Sequence, residues 1–378
     1  MAALRFLKYP FLVLLIASCA TPKIGPYTQA EIQENIYFHF FRKLSNAKLR
    51  KKIVASPYTL MRSTYAEFEI QLGQQAPEGG LLYTLPQGLA HGDFHPLQMA
   101  WRNGSPVLDD WDTVETKPLW TDLVRMESAA RLLASSEGLR AYPESVCIDA
   151  YADRFTSGKQ SGKAHALRPS AKNEELFEDF SQHPLWKNAD SADKIPSDLL
   201  VAMKEWIVSR PDLPFKADAP LKHHISGVGS FLKEKILALD ADKKLWELKE
   251  VDTSPGGCAR YEKLMTVFTK LDGSEGENPV RACWSWQGRT FTLLKWDIRY
   301  WGPDANDFKS ASLLADHVRW MCEKLAEFHQ ASLSETEIRD WTLALKAVAP
   351  LKTRLRELST EAFKAYQDGY RMILLSQE

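Results

Sequence analysis

Residues 91–98 read His91-Gly92-Asp93-Phe94-His95-Pro96-Leu97-Gln98, and a short apolar stretch, Pro106-Val107-Leu108, then runs into Asp109-Asp110-Trp111-Asp112. A carboxylate on a loop can accept a proton from an attacking hydroxyl. A second carboxylate at the end of a strand can hold Mg²⁺, a hard ion that prefers oxygen ligands. Phosphoryl transfer uses both, because its catalysis is mostly positioning and charge stabilisation. The plain alternative is two polar loops carrying solvated carboxylates.

Upstream of this pair the chain is helical from Ile36. Ser56-Pro57 reads as a helix start, with Ser as N-cap and Pro at the first helical position. Leu60, Tyr65, Phe68 and Leu72 follow at helical spacing, and Pro77, Gly79 and Gly80 end that helix. Downstream, residues 120–135 read as an amphipathic helix and residues 156–195 as mostly polar loop. The second half changes period. Ser226-Gly227-Val228-Gly229-Ser230 is a glycine turn followed by a strand. Leu245 to Val251 then alternates, with Trp246 and Leu248 on one side and Glu247 and Lys249 on the other. Gly256-Gly257 precedes a helix through Leu271, and Glu262 sits about one turn into it. Val280–Trp286 and Thr290–Trp296 flank Gln287-Gly288-Arg289, a hairpin signal. Long helices fill the chain from about residue 310. The class is α+β: a helical lobe and a lobe built on a five-stranded antiparallel sheet. Backbone N–H groups of a glycine turn can cradle phosphates and a Lys can reach them. Taken singly, the turn equally suits a plain hairpin, and Lys249 and Glu262 equally suit solvated surface.

The order of these segments resembles a known family. HGDFHPLQ is similar to the HGD-x-HP-x-N loop of aminoglycoside-phosphotransferase and choline-kinase-like enzymes, and LDDWD to their metal-binding segment. More closely, SPYTLMRSTYAEFEIQL, HGDFH, LDDWDT, WTDLVRMESAARLLA, SGVGSF, ELKEVDTS and LAEFHQAS resemble, in that order, the motifs of the DUF2252 family over about residues 55–332. The resemblance implies a protein-kinase-like two-lobe fold, circularly permuted, because the catalytic and metal loops precede the glycine turn and the Lys. It implies residues 36–210 as the helical lobe, 220–302 as the sheet lobe and 303–378 as helices packing back on the helical lobe. It also implies roles. Asp93 would be the catalytic base, supported by His91 and by Asp122 from the next helix. Asp110 would hold the principal Mg²⁺ with Asp112 and Gln98 assisting. Lys249 would pair the nucleotide phosphates, oriented by Glu262, and Gly227, Gly229 and Ser230 would cover them. The cofactors implied are Mg²⁺ and a nucleotide, ATP or another phosphoryl donor. The function implied is a kinase-like phosphotransferase acting on an unknown small molecule or protein. Two departures point to a rival, a pseudokinase kept as a binding module: Gln98 replaces Asn, and Phe231 and Leu232 stand where the family has a later glycine. A third reading, a metallophosphoesterase, takes Gly92-Asp93-Phe94-His95 as a metal motif, but no GNH segment follows.

The N-terminus reads as an address. Arg5 and Lys8 precede a short apolar run, Phe11 to Ala17, far below the roughly 20 residues a membrane span needs. Ile16-Ala17-Ser18-Cys19 then resembles a bacterial lipobox. It implies a signal peptide over 1–18, acylation of Cys19, a tether over 19–35, and anchoring in the bilayer of the cell envelope, with Ala20 favouring the outer membrane facing the periplasm. That compartment has no ordinary ATP pool, which adds weight to the pseudokinase rival. Four cysteines remain, Cys147, Cys258, Cys283 and Cys322, and an oxidising compartment permits them to pair. The 378 residues carry 48 Lys+Arg against 49 Asp+Glu, and the basic residues are dispersed, so no nucleic-acid partner is expected. A 44% hydrophobic content with 12 Trp excludes a disordered chain.

Overall fold

A computed structural model describes residues 35–76, 81–102, 105–159, 167, 179–216, 218–224, 233–251, 257–272, 280–296, 300–347 and 349–376. The expected leader with Cys19, and the glycine turn with Gly227, Gly229 and Ser230, lie outside the described residues. Four helices come first: α1 (Ile36–Lys43), α2 (Ala47–Ile53), α3 (Pro57–Arg62) and α4 (Tyr65–Gln75). The Ser56 side chain caps α3, accepting from the Thr59 N–H at 3.1 Å. The single helix expected from residue 57 is in fact α3 and α4. The break falls at Thr64, whose hydroxyl bonds the Leu60 carbonyl at 2.8 Å and competes with the helical ladder.

Strands β1 (Gln87–Ala90), β2 (Met99–Arg102), β3 (Ser105–Leu108) and β4 (Glu115–Pro118) frame the two acidic segments. β1 pairs β4, and β2 pairs β3, so the HGD loop and the DDWD segment leave small ladders side by side. Helix α5 (Trp120–Ser136) follows, then α6 (Val146–Ser157). α5 is buried on nearly every face rather than amphipathic. Its polar residues Asp122, Arg125, Glu127 and Ser128 are buried with the rest, and each has a partner.

Next come α7 (Pro184–Lys187), β5 (Asp190–Ser191), α8 (Ser197–Val208), β6 (Leu221–His223), β7 (Lys235–Leu239), β8 (Leu245–Val251), α9 (Ala259–Asp272), β9 (Val280–Trp286), β10 (Arg289–Lys295) and β11 (Tyr300–Trp301). The chain closes with α10 (Ala311–Ser332), α11 (Glu335–Ala347) and α12 (Ala349–Leu375). The main sheet is antiparallel with six strands, not five, in the order β5-β6-β7-β8-β10-β9. The extra strand, β5, has two residues and no apolar pattern, so only its backbone pairing reveals it. The hairpin expected at 287–289 forms with a two-residue turn, Arg289 already belonging to β10, and Gln287 and Gly288 both have positive φ, the combination that matches strand twist.

Side chains alternate across this sheet into two cores. Ile236, Trp246, Leu248, Phe291 and Leu293 pack on Leu199, Met203 and Ile207 of α8. Leu237, Leu239 and Leu245 pack on Phe180 and Trp186. Residues 180–208 therefore belong with the sheet, which moves the expected lobe boundary from 210 back to about 179. Helix α9 goes the other way. Although it lies between β8 and β9 in the chain, Tyr261, Leu264, Val267 and Phe268 join the large helical core. Side chains of the C-terminal helices also join this core, with Tyr366 of α12 stacked on Tyr37 at 4.0 Å. Two disulfides use the four cysteines: Cys147–Cys322 joins α6 to α10, and Cys258–Cys283 joins the turn before α9 to β9. Among the described residues, no helix is long and apolar enough to cross a membrane.

Candidate functional site

Between the helical body and the sheet lies a cavity of about 790 Å³ whose lining includes Gln98, Asp110, Asp112, Lys235, Glu247 and Lys249. The 91–98 segment reaches this cavity through Leu97 and Gln98, whereas His91, Gly92 and Asp93 are not among its lining residues; the HGD part is fixed by its backbone. Gly92 has φ +87°, and a Cβ there would lie 2.5 Å from the Thr113 carbonyl oxygen, so the position admits only glycine. The Asp122 carboxylate accepts from the His91 N–H at 2.7 Å and from the Gly92 N–H at 2.8 Å. The Thr113 hydroxyl accepts from the Asp93 N–H at 2.8 Å and donates to the His91 carbonyl at 3.0 Å. His91 Nε2 donates to the Asp109 carbonyl at 2.8 Å and its ring packs on Trp111, which ties the first acidic segment to the second. Asp122 and His91 thus both bond the backbone around this loop.

Asp93 itself is held by a residue that the motif reading passed over. Arg125, one turn beyond Asp122 on α5 and only 1% exposed, donates from Nε to Asp93 Oδ1 at 2.8 Å and from Nη2 to the same oxygen. Its fork also reaches the Met61 carbonyl at 3.1 Å and the Tyr366 hydroxyl at 3.2 Å. Burial pushes the Asp93 carboxyl up, Arg125 opposes it, and the net value is above the ordinary one. The signal in the sequence was weak, because Arg125 is one of four charged residues in 120–134; a buried arginine needs a planar acceptor, and Asp93 supplies it.

Across the cavity Lys249 projects from β8. Its Nζ lies 2.8 Å from Asp110 Oδ1 and also pairs with Asp112. The residues expected to hold phosphate and metal therefore meet, although 139 positions separate Lys249 from Asp110. Asp110 adopts a left-handed conformation, φ 59° and ψ 59°, at the start of the short helical turn 111–113. Gln98 donates to Asp110 Oδ2 at 3.2 Å. The Tyr261 hydroxyl of α9 donates to the Asp112 carbonyl at 2.8 Å, so α9 does support the metal segment, through a tyrosine. Burial would discharge Lys249, but Asp110 and Asp112 hold its ammonium well above the usual lysine range. The same lysine draws Asp110 far down against the effect of burial. Burial, reinforced by the Asp110 charge, drives Asp112 up instead.

The expected Glu262–Lys249 pair does not form. Glu262 is exposed on the first turn of α9 and lines no part of the cavity. Asp110 and Asp112 take its place as the partners of Lys249. A buried glutamate does stand near the lysine, but it is Glu247, two residues earlier on the same strand face and paired with Lys235 at 3.6 Å. Lys235 is directly opposite Lys249 on β7. The alternation of 245–251 already put Glu247 on this face; what the sequence lacked was the register that brings Lys235 across.

For a divalent ion, the Asp110 and Asp112 carboxylates are hard oxygen donors of the kind Mg²⁺ takes, Gln98 could add its amide oxygen only by turning away from the bond its amide nitrogen makes to Asp110, and Asp110, in the cavity lining, is 39% exposed. Among the described residues, no cluster of three or more His, Cys, Asp or Glu side chains is gathered in metal-binding geometry. Comparison with protein-family models, with curated proteins and with solved structures gives no match. Function has to be read from the side chains themselves.

Proposed function

We propose that this cavity binds a Mg²⁺–nucleotide and transfers a phosphoryl group, as in a permuted kinase-like enzyme. The single observation that supports it most is Lys249 meeting Asp110 and Asp112 across two walls of one cavity. Asp110 and Asp112 would hold the metal with Gln98, and the metal would supply charge neutralisation of the phosphates. Lys249, released from the carboxylates, would turn to the phosphate oxygens. Asp93, fixed by Arg125, would take the proton of the acceptor hydroxyl through its second oxygen. Pairing of all four cysteines other than Cys19 fits an oxidising compartment, so we further propose that the protein works at the cell envelope, held by an acylated Cys19.

Calorimetry with Mg²⁺ and a panel of nucleotides tests the reading. Wild type should bind at least one of them, and Asp110→Ala or Lys249→Met should each abolish binding. A wild type that binds none contradicts it. Asp93→Asn should leave binding in place and remove transfer. One observation favours a second reading, a binding module without transfer: Arg125 already occupies one oxygen of Asp93 with two donors. Binding with no transfer to any acceptor, and none to water, would select it.

A further inference from the structure

We infer that the cavity takes a guanine nucleotide, whose base is read by Glu247 and Lys235; the inference deepens the phosphotransfer reading and rests on it. Both side chains line the cavity, and both are buried, Glu247 at 5% exposure and Lys235 at 8%. Neither is needed in the metal and phosphate chemistry proposed for Lys249 and the two aspartates. Stability does not account for the pair either, since apolar residues of similar size in place of a buried ion pair are commonly neutral or stabilising.

The surroundings of the pair suit a flat ring. Glu247 precedes Lys249 by two residues on the same strand face, so it stands about 7 Å along β8 from the lysine assigned to phosphate. Its neighbours across the sheet are apolar, Leu237 on β7 and Leu294 on β10. Leu294, Leu185 and Trp296 share the cavity lining with it. A ligand group seated there meets apolar surface on its faces and charge at its edge, as the ring of a nucleobase requires.

The order of the polar atoms selects the base. Lys235 Nζ lies 3.6 Å from Glu247 Oε1, and Trp296 Nε1 donates to Oε2 at 3.3 Å. The ammonium therefore flanks Oε1, and the array reads donor, acceptor, acceptor. An ammonium can only donate, and carboxylate oxygens can only accept. Each oxygen has two lone pairs, so Oε2 can keep the Trp296 bond and accept a further donor. The complementary edge reads acceptor, donor, donor. Guanine has that edge in O6, N1–H and the 2-amino group. Adenine offers N1 and the 6-amino group, which meet the lysine and one oxygen and leave the other oxygen unmatched. Uracil and cytosine each set an acceptor against a carboxylate oxygen.

Calorimetry on the full chain with Mg²⁺ and GTP, ITP or ATP tests this. GTP should bind more tightly than ATP by about tenfold or more, the scale of one hydrogen bond to a charged group. ITP lacks only the 2-amino donor and should fall below GTP by a similar factor. Glu247→Gln keeps the size of the side chain and removes one acceptor, so it should close most of the gap between GTP and ITP. That gap measures the coupling of Glu247 to the 2-amino group, and a merely structural glutamate would weaken both nucleotides alike and leave it open. ATP bound as tightly as GTP overturns the proposal, as does a GTP–ITP gap that survives in Glu247→Gln. If Glu247→Gln does not fold, the wild-type ranking decides. A chain that binds no nucleotide loses the phosphotransfer reading and this one together; a chain that binds ATP and GTP equally loses this one alone.

Discussion

In the helical body, backbone groups of residues 91–93 are bonded at 2.7–3.0 Å to side chains rooted in α5 and in the turn before β4. Where the sheet meets the second acidic segment, Lys249 of β8 and Asp110 and Asp112 are held mostly by one another. The first arrangement is preset by the core and would change little on binding. The second is a set of charges that a metal and a phosphate would exchange for themselves. Substitutions in the helical body should therefore cost stability first, and those around Lys249 should cost binding first.

The largest effect expected is for Arg125→Met. It leaves the Asp93 carboxylate with one donor set removed in a mostly buried place, at a cost of about 3–5 kcal/mol. Urea unfolding measures it, and a loss below about 1 kcal/mol, the scale of an exposed ion pair, would erase the contrast between the two regions. A pH series sharpens the same contrast. Burial pushes Glu127 on α5 from 4.5 up to about 7, while it caps the Ser145 and Cys147 N–H groups of α6. Its folded value is raised, so between those limits the native chain keeps a proton that the unfolded chain has released. The contribution of Glu127 to stability therefore falls as pH rises through this window, by at most about 1.4 kcal/mol per pH unit. Glu127→Gln should flatten that slope, and an unchanged slope would contradict the assignment.

In the second region, Lys249→Met should cost only about 1–2 kcal/mol. Asp110 remains partly solvated, and Asp112, already pushed up, can take a proton. Destabilisation as large as that of Arg125→Met would mean that both regions are structural. The smallest effect is expected for Glu262→Gln, within about 0.5 kcal/mol in unfolding experiments, with nucleotide affinity unchanged. A marked loss of affinity would restore Glu262 to the site.

Much of this contrast could be read from the chain. Period marked β8, β9 and β10 and the turn between the last two, and the Ser56 cap marked α3. The meeting of Asp110 with Lys249 was expected from the family resemblance alone, since no local pattern links residues 139 positions apart. Other features had no local signal. β5 is two polar residues whose pairing is purely backbone. Residues 180–195 look like loop because Phe180 and Trp186 serve the sheet from the outside, at spacings that spell no long element. Arg125 was one of several charges in a helix read as amphipathic, and its burial and its partner are set by tertiary contact. Glu262 was assigned by analogy of position, whereas the face of α9 that turns to the core belongs to Tyr261 and Leu264.

The central claim is that Lys249 and the two aspartates form a phosphate and metal site. Acyl-phosphate derivatives of nucleoside triphosphates test it most directly, since a lysine beside the bound phosphates takes the acyl group and mass spectrometry then locates it. The account predicts acylation at Lys249 that needs Mg²⁺, is competed by the unmodified nucleotide and disappears in Asp110→Ala. Labelling confined to other lysines, or labelling of Lys249 that neither Mg²⁺ nor competitor affects, would contradict it.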